Sequence, residues 1–160
     1  MNISKTLILC VGCMGSGKTY FVKNFLNGHG FARVSQDEHG RIQHRQMYER
    51  LISEGKNIVI DRMNFDKKQR ERYIFPARRC GYQIVLLWFP TLREICKTRM
   101  ENRIGHPSIG QDDDHNKMLD WYETVFVKPT LDEYDKFFNM LSVYDANKFF
   151  DTSFLQEDEK

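Results

Sequence analysis

Residues 12–19, which read GCMGSGKT, match the pattern G-x-x-x-x-G-K-[ST] at every fixed position. Glycines in such a loop let the backbone turn its N–H groups toward an anion. The Lys18 ammonium would bind the β- and γ-phosphates, and the Thr19 hydroxyl would bind Mg²⁺. The motif therefore predicts a site for ATP or another nucleoside triphosphate with Mg²⁺, formed by Gly12, Cys13, Met14, Gly15, Ser16, Gly17, Lys18 and Thr19.

The surroundings of this motif agree with that interpretation. An apolar run at 7–11 leads into it, and the apolar positions Phe21, Val22, Phe25 and Leu26 follow at helical spacing. A strand before the loop and a helix after it are what the motif requires. A glycine turn followed by a chance Lys-Thr pair is the improbable alternative.

Two carboxylates and two arginines are the remaining candidates for chemistry. Asp37 follows the second predicted strand and Asp61 ends the third. A phosphotransferase needs a carboxylate that takes a proton from the acceptor, and cations that bind the migrating phosphoryl group. Asp37 suits the first role, and Arg99 and Arg103, four residues apart on one predicted helix face, suit the second. The alternative for the arginines is a solvated pair offset by neighbouring glutamates.

Strands and helices alternate along the whole chain. Strands are predicted at 7–11, 31–35, 57–61, 84–89 and 137–144, and helices follow the loop and cover 38–54, 66–80, 91–102 and 112–127. Asp66 and Thr91 are each predicted to cap a helix. This order predicts an α/β fold, a doubly wound parallel sheet with helices on both faces, whose chemistry lies at the carboxyl ends of the strands.

The basic residues of the 66–80 helix are interpreted mainly as a solvated outer face; these are Lys67, Lys68, Arg70, Arg72, Arg78 and Arg79.

The two parts of the chain differ in charge. Over residues 1–106, 19 Lys and Arg stand against 9 Asp and Glu, whereas residues 107–160 carry 5 Lys and Arg against 13 Asp and Glu. This asymmetry fits a polyanionic substrate on one face, and it fits mutual neutralisation of the two parts equally well.

Length and composition indicate one folded domain. The 160 residues are 41% apolar and 29% charged, and we predict a single domain over 1–155 followed by a disordered polar tail at 156–160. No segment resembles a signal peptide or reaches transmembrane length, which predicts an intracellular protein, cytoplasmic or nuclear, without a membrane partner. The four cysteines are expected to be reduced thiols, because Cys10 and Cys13 lack a second pair with which to bind zinc.

Three segments resemble the family of 5′-hydroxyl polynucleotide kinases. These are the phosphate loop, the run GFARVSQD at 30–37 and the run GKNIVIDRMNFDKKQRERY at 55–73, whose D-x-x-N-x-D-x-x-x-R pattern is the most specific. The resemblance covers about 6–103. The segment HPSI at 106–109 is similar to kinase modules of eukaryotic nucleic-acid repair proteins, in which the third strand also ends in D-R-x-N.

The resemblance implies a P-loop kinase architecture with an arginine-bearing lid. It implies that Asp37 is the general base for the acceptor 5′-OH and that Arg99 or Arg103 is the lid arginine. Asp61 and Asn64 would belong to the acceptor side, and Arg41 is the candidate for binding the acceptor phosphate. The sequence departs from the family pattern at three positions of the acceptor site. Gln36 and Met63 stand where relatives carry Arg and Thr, and Gly40 stands where phage-type kinases carry Arg.

The leading hypothesis is therefore transfer of the γ-phosphoryl group of ATP to the 5′-OH end of DNA or RNA. A P-loop kinase acting on a nucleoside, nucleotide or other metabolite is the alternative within the same reaction class. A catalytically idle module that binds nucleotide or RNA is the alternative outside it. The retention of Lys18, Thr19 and Asp37 together favours an enzyme.

Overall fold

The computed structural model describes residues 5–141 and Phe149. Within them, five parallel strands form one sheet in the order β2-β3-β1-β4-β5. The strands are β1 Thr6–Gly12, β2 Phe31–Val34, β3 Asn57–Ile60, β4 Gln83–Phe89 and β5 Lys136–Asn139. The predicted doubly wound parallel sheet is confirmed.

Helices cover both faces of the sheet. They are α1 Lys18–Phe21, which continues as a π-helix over Val22–Leu26, then α2 Gln36–His39, α3 Arg41–Ser53, α4 Lys67–Arg79, α5 Arg93–Asn102 and α6 His115–Val125. A short 3-10 helix at Leu131–Glu133 precedes β5.

The alternation of side chains along β1 divides the core in two. Leu7 and Leu9 pack with α3 and α4 on one face, whereas Ile8 and Cys10 pack with α1 on the other. Every residue of β1 is buried, as expected for the central strand of a parallel sheet. This burial fixes the carboxyl end of β1, and with it the phosphate loop, at the middle of the sheet edge.

The predicted helix at 38–54 is in fact two helices. Gly40, at φ 80°, lies outside the right-handed helical region and separates α2 from α3. Asp37 therefore lies on a separate four-residue helix directly after β2 and Ser35. This break allows α2 to point its side chains independently of the long α3.

The predicted caps had different outcomes. Asp66 caps α4 as expected, because its Oδ1 accepts a hydrogen bond from the Gln69 N–H at 2.7 Å. The predicted cap at Thr91 is wrong: α5 begins after Leu92, and the Thr91 hydroxyl instead donates to the Ser16 carbonyl of the phosphate loop at 2.8 Å. The start of α5 is thereby attached to the loop.

Two further boundaries differ from the sequence prediction. The helix expected from 112 begins at His115, where Asp114 caps it, and β5 ends at Asn139. The last predicted strand positions, the end of the predicted domain and the tail at 156–160 lie outside the described residues. No helix in the described part of the chain is long and apolar enough to cross a membrane.

Candidate active site

The phosphate loop connects β1 to α1 at the centre of the sheet edge. Gly15 and Gly17 have φ of 75° and 102°, a region that other residues rarely enter. A side chain on Gly12 would come within 3.0 Å of the Phe89 carbonyl oxygen, so this position has no space for one. The three motif glycines are thus each required by backbone geometry, as the motif predicted.

Lys18 is nearly fully buried beneath this loop. Its Nζ donates to the carbonyls of Gly12 and Cys13 at 2.9 and 2.6 Å and to Ser16 Oγ at 3.2 Å. Burial lowers the pKa of Lys18, and the negative charge of nearby Asp61 opposes that shift. The ammonium is held centrally in the loop, where it can reach phosphate oxygens that the loop binds.

Thr19 and Asp61 meet beside the loop. The Thr19 hydroxyl donates to Asp61 Oδ2 at 2.9 Å, and the same oxygen accepts two bonds from the Arg33 guanidinium at 2.9 and 2.6 Å. Arg33 also forms an ion pair with Glu38 at 2.6 Å, and Glu38 with Lys23 at 2.8 Å. The buried Asp61 carboxylate therefore has a fixed orientation next to the Thr19 hydroxyl.

A cavity of about 1230 Å³ opens over this edge of the sheet. Its lining brings together most of the predicted site residues: Met14, Gly15, Gly17, Lys18, Thr19, Asp37, Asp61, Arg99 and Arg103. Binding cavities for single small ligands usually measure roughly 300–1,000 Å³. The cavity can therefore hold a nucleoside triphosphate and the reacting end of an acceptor together.

Asp37 faces this cavity from α2 and is exposed to solvent. Its Oδ1 accepts a hydrogen bond from the Ser108 hydroxyl at 2.8 Å. Ser108 lies in the loop between α5 and α6, so this bond joins the two sides of the cavity. The remaining carboxylate lone pairs are available to an acceptor hydroxyl.

The lid is formed by α5 and the loop that follows it. Arg99 Nη1 donates to the Gly15 carbonyl at 3.1 Å, which places this guanidinium on the phosphate loop. Arg103 lines the cavity too, but it follows the end of α5 with an extended backbone, so the prediction that the two arginines share a helix face is wrong. Burial lowers the pKa of His106, and the Arg103 charge adds to that shift.

The lid helix α5 also packs against the phosphate loop. Its buried residues are Cys96 and Met100, whereas Ile95 on the same helix and Leu92 before it are exposed. The thiols of Cys13 and Cys96 interact there, and this interaction lowers the pKa of the Cys96 thiol. The free thiols that were predicted are found at Cys10, Cys13, Cys80 and Cys96.

Two residues predicted for the acceptor side do not line this cavity. Asn64 is fully buried at φ 47°, and its side-chain nitrogen donates to the Cys10 carbonyl at 2.8 Å, so its side chain supports the end of β1 instead of an acceptor. Arg41 lies after Gly40 at the start of α3 and lines a separate hollow. Three residues of the predicted phosphate loop do not line the cavity. Gly12, Cys13 and Ser16 instead accept hydrogen bonds from the Lys18 ammonium.

The sequence interpretation missed several lining residues. Arg62, His106 and Ser108 face the cavity, and Met118 and Trp121 of α6 close its far side. The segment HPSI contained the signal for two of them, since it holds both His106 and Ser108. No local pattern in the sequence marked Arg33 as a site residue, because its partner Asp61 is distant along the chain.

Arg70, assigned to the outer face of α4, is fully buried and bonded to Glu133 at 2.7 Å.

The oxygen atoms beside the loop fit a magnesium ion. Mg²⁺ prefers hard oxygen ligands and is usually held by one or two carboxylates together with phosphates and water. The Thr19 hydroxyl and the Asp61 carboxylate supply such oxygens 2.9 Å apart at the base of the cavity. Among the described residues no group of three or more His, Cys, Asp and Glu side chains forms an all-protein metal site.

The sequence is similar to that of a curated protein named as a phosphatase/kinase. The chain is 34% identical over 82 residues to "Putative bifunctional polynucleotide phosphatase/kinase" of Acanthamoeba polyphaga mimivirus. The match covers 51% of this chain and 20% of the viral protein. It confirms the resemblance to polynucleotide kinases that the sequence motifs indicated.

Solved structures share the fold at low sequence identity. A fungal RNA kinase matches with a TM-score of 0.65 at 12% identity, covering 98% of this chain and 90% of that one. A gluconokinase from Sinorhizobium meliloti 1021 matches with a TM-score of 0.62 at 15% identity, covering 98% and 94%. At such identities these matches establish the architecture alone.

The family model described as "AAA domain" matches residues 39–125, which is more than half of the chain. The matched segment begins after the phosphate loop and runs from α3 to the end of α6. The phosphate-loop motif at 12–19 lies outside the matched segment and is therefore an independent observation that agrees with the match. The chain belongs to the AAA-domain family, and its fold is that of the P-loop kinases.

Proposed function

We propose that this protein is a polynucleotide 5′-hydroxyl kinase, which transfers the γ-phosphoryl group of ATP to the 5′-OH end of DNA or RNA. One observation carries the proposal: Asp37 lines the same cavity as Lys18, Thr19 and Arg99. A proton acceptor, a donor-phosphate site and a cationic lid are the parts that phosphoryl transfer to a hydroxyl requires.

Each residue has a role that follows from its position. The loop and Lys18 bind the donor phosphates, and Arg99 places a positive charge where charge develops on the migrating group. Asp37 takes the proton from the acceptor hydroxyl, and the Ser108 hydroxyl holds the carboxylate in one orientation. Thr19 and Asp61 would hold Mg²⁺, which would supply positive charge against the donor phosphates.

Two further observations favour a polynucleotide as the acceptor. The viral relative's name includes polynucleotide kinase, and the basic excess over residues 1–106 fits a polyanion. The second candidate is a small-molecule kinase, which the fold shared with a gluconokinase supports. An idle binding module is disfavoured, because nucleotide binding alone does not require Asp37.

The test is transfer of labelled γ-phosphate from ATP to a panel of acceptors. The panel contains 5′-OH DNA, 5′-OH RNA, free nucleosides, 3′-nucleotides and gluconate, with Lys18→Ala protein as the inactive control. We expect labelling of 5′-OH oligonucleotides and loss of that labelling in the control. Labelling of gluconate or free nucleosides, without labelling of oligonucleotides, would replace this proposal with the small-molecule kinase.

A further inference from the structure

A second, smaller hollow lies beside the active-site cavity, between α3 and α4. Its volume is about 440 Å³. Four arginines line it, and we call it the arginine hollow: Arg41, Arg45, Arg62 and Arg72.

The arginine hollow is adjacent to the reacting groups. Arg62 lines both the hollow and the active-site cavity. On α2, Gln36 lines the hollow and the next residue, Asp37, lines the cavity. A chain whose end reaches Asp37 can therefore continue past Arg62 into the hollow.

The described lining of the arginine hollow carries an excess of positive charge. Within the described part of the chain, none of the four arginines forms an ion pair, whereas Arg33, Arg70 and Arg93 each pair with carboxylates. Among the described residues that line the hollow, Glu49 supplies the one carboxylate against four guanidinium groups. Gathering like charges costs free energy that bound phosphates offset.

Arg62 is held in place by a chain of hydrogen bonds. Its Nη1 donates to Tyr73 Oη at 2.6 Å, and the Tyr73 hydroxyl lies 3.1 Å from His44 Nε2. His44 Nδ1 lies 3.1 Å from the Gly40 carbonyl, so the ring donates there and accepts the Tyr73 proton. Burial lowers the pKa of His44, the hydrogen bond to the Gly40 carbonyl opposes that shift, and the charges of Arg62 and Arg45 add to it, which favours the neutral ring.

We propose that the arginine hollow binds the sugar-phosphate backbone of a single-stranded acceptor beyond its reacting 5′ end. Arg62 would contact the phosphate at the passage between cavity and hollow, and Arg45 and Arg72 would contact the phosphates that follow. This inference rests on the proposed polynucleotide kinase function. It adds a subsite that makes affinity depend on acceptor length.

The test is equilibrium binding, which does not require catalysis. Fluorescence anisotropy is measured with a 12-nucleotide 5′-OH DNA strand and a 5′-OH dinucleotide, both labelled at the 3′ end. The variant is Arg45→Glu/Arg72→Glu, and the matched control is Arg79→Glu, an exposed arginine at the end of α4. The measurement is repeated with Arg45→Gln/Arg72→Gln, in which both side chains are neutral. Thermal melting verifies that all variants fold.

We expect wild-type protein to bind the 12-nucleotide strand at least tenfold more tightly than the dinucleotide. The hollow variant should lose that difference. The affinity of the Arg79→Glu control for the 12-nucleotide strand, and the affinity of the hollow variant for ATP, should each change less than twofold. For single strands the log–log salt slope changes by about 0.7 for each phosphate contact, so losing two contacts reduces it by about 1.4.

Equal binding of the two acceptors, or equal effects of the hollow and control variants, would overturn the inference. Failure of the proposed function gives a different result, since wild-type protein would then phosphorylate no oligonucleotide in the transfer assay. In that case the anisotropy measurement still decides whether the hollow binds a strand.

Discussion

The Thr19 hydroxyl donates a hydrogen bond to Oδ2 of Asp61 across 2.9 Å, joining the phosphate loop to the end of β3. Arg33 holds the same carboxylate oxygen from the other side. The pairing of β1 with β3 sets this distance, because it places the ends of the two strands next to each other. In this position the buried Asp61 carboxylate can act on the donor phosphates as well as on an acceptor.

This arrangement predicts that Asp61 acts on the metal side. Asp61→Asn should raise the Mg²⁺ concentration required for half-maximal transfer at least tenfold for every acceptor, and Thr19→Val should abolish transfer. The measurement is a magnesium titration of labelled-phosphate transfer with two different acceptors. An increase in the KM of the acceptor alone would instead place Asp61 on the acceptor side, as the sequence comparison implied.

Asp37→Asn should remove most phosphoryl transfer and leave ATP affinity nearly unchanged. Loss of a general base usually costs roughly 10²–10⁴-fold in rate. The reason is that Asp37 faces the cavity and contacts Ser108, without contacting the phosphate loop in the structure. Single-turnover rates and nucleotide binding are measured for Asp37→Asn and for Ser108→Ala, in which the carboxylate remains. If Asp37→Asn keeps near-normal turnover, the proton acceptor is another group.

The sequence was sufficient to predict the local features of this site. A contiguous motif specified the glycine geometry around Lys18, and strand ends specified where Asp37 and Asp61 would lie. What it could not predict depends on tertiary contacts between distant residues. Arg33 binds Asp61 across 28 positions, and nothing in the local pattern distinguishes it from a solvated arginine.

Two errors have related causes. Gly40 divides the predicted 38–54 helix, because one positive φ is enough to end a helix that the apolar spacing alone would continue. Arg70 occupies a helical position that reads as exposed, yet it is fully buried because Glu133, 63 residues later, supplies a carboxylate for it. Periodicity reports which faces are apolar, and it cannot report a buried ion pair.

This ion pair predicts a large effect on stability. Arg70→Met should lower the free energy of unfolding by about 3–5 kcal/mol, since it leaves the buried Glu133 carboxylate without its cation. Chemical denaturation is the measurement. Arg70→Met/Glu133→Leu should be less destabilised than the single variant, because no buried charge remains. Lys67→Ala, which removes an exposed pair with Asp132, is the control and should change little.

Glu38 predicts a pH dependence of stability. Hydrogen bonds from Lys23 and then Arg33 lower the pKa of Glu38 from 4.5 to about 2. A carboxyl whose pKa is lowered by folding stabilises the native state above its unfolded pKa, and that contribution is lost as pH falls toward the folded value. Wild type should therefore exceed Glu38→Gln in stability at pH 7, and the difference should shrink between about pH 5 and 2. Denaturation across this range measures it, and a constant difference would contradict the assignment.

Arg99 is expected to be the lid arginine that acts in the transition state. Its Nη1 lies 3.1 Å from the Gly15 carbonyl, whereas Arg103 lies just after the end of α5, where the backbone is extended. In related phosphoryl transfers an inserted arginine contributes roughly 10³–10⁵-fold to the rate. Arg99→Ala should therefore lower kcat at least a hundredfold with little change in ATP affinity.

Arg103→Ala should lower kcat much less. Lys97→Ala is the control on the same helix, because its ammonium pairs with Glu101 away from the loop. Arg99→Lys should recover only part of the rate, because a lysine keeps the charge but lacks the planar guanidinium that can bind the loop carbonyl and a phosphoryl oxygen together. If Arg103→Ala loses more activity than Arg99→Ala, Arg103 and not Arg99 contacts the migrating phosphoryl group.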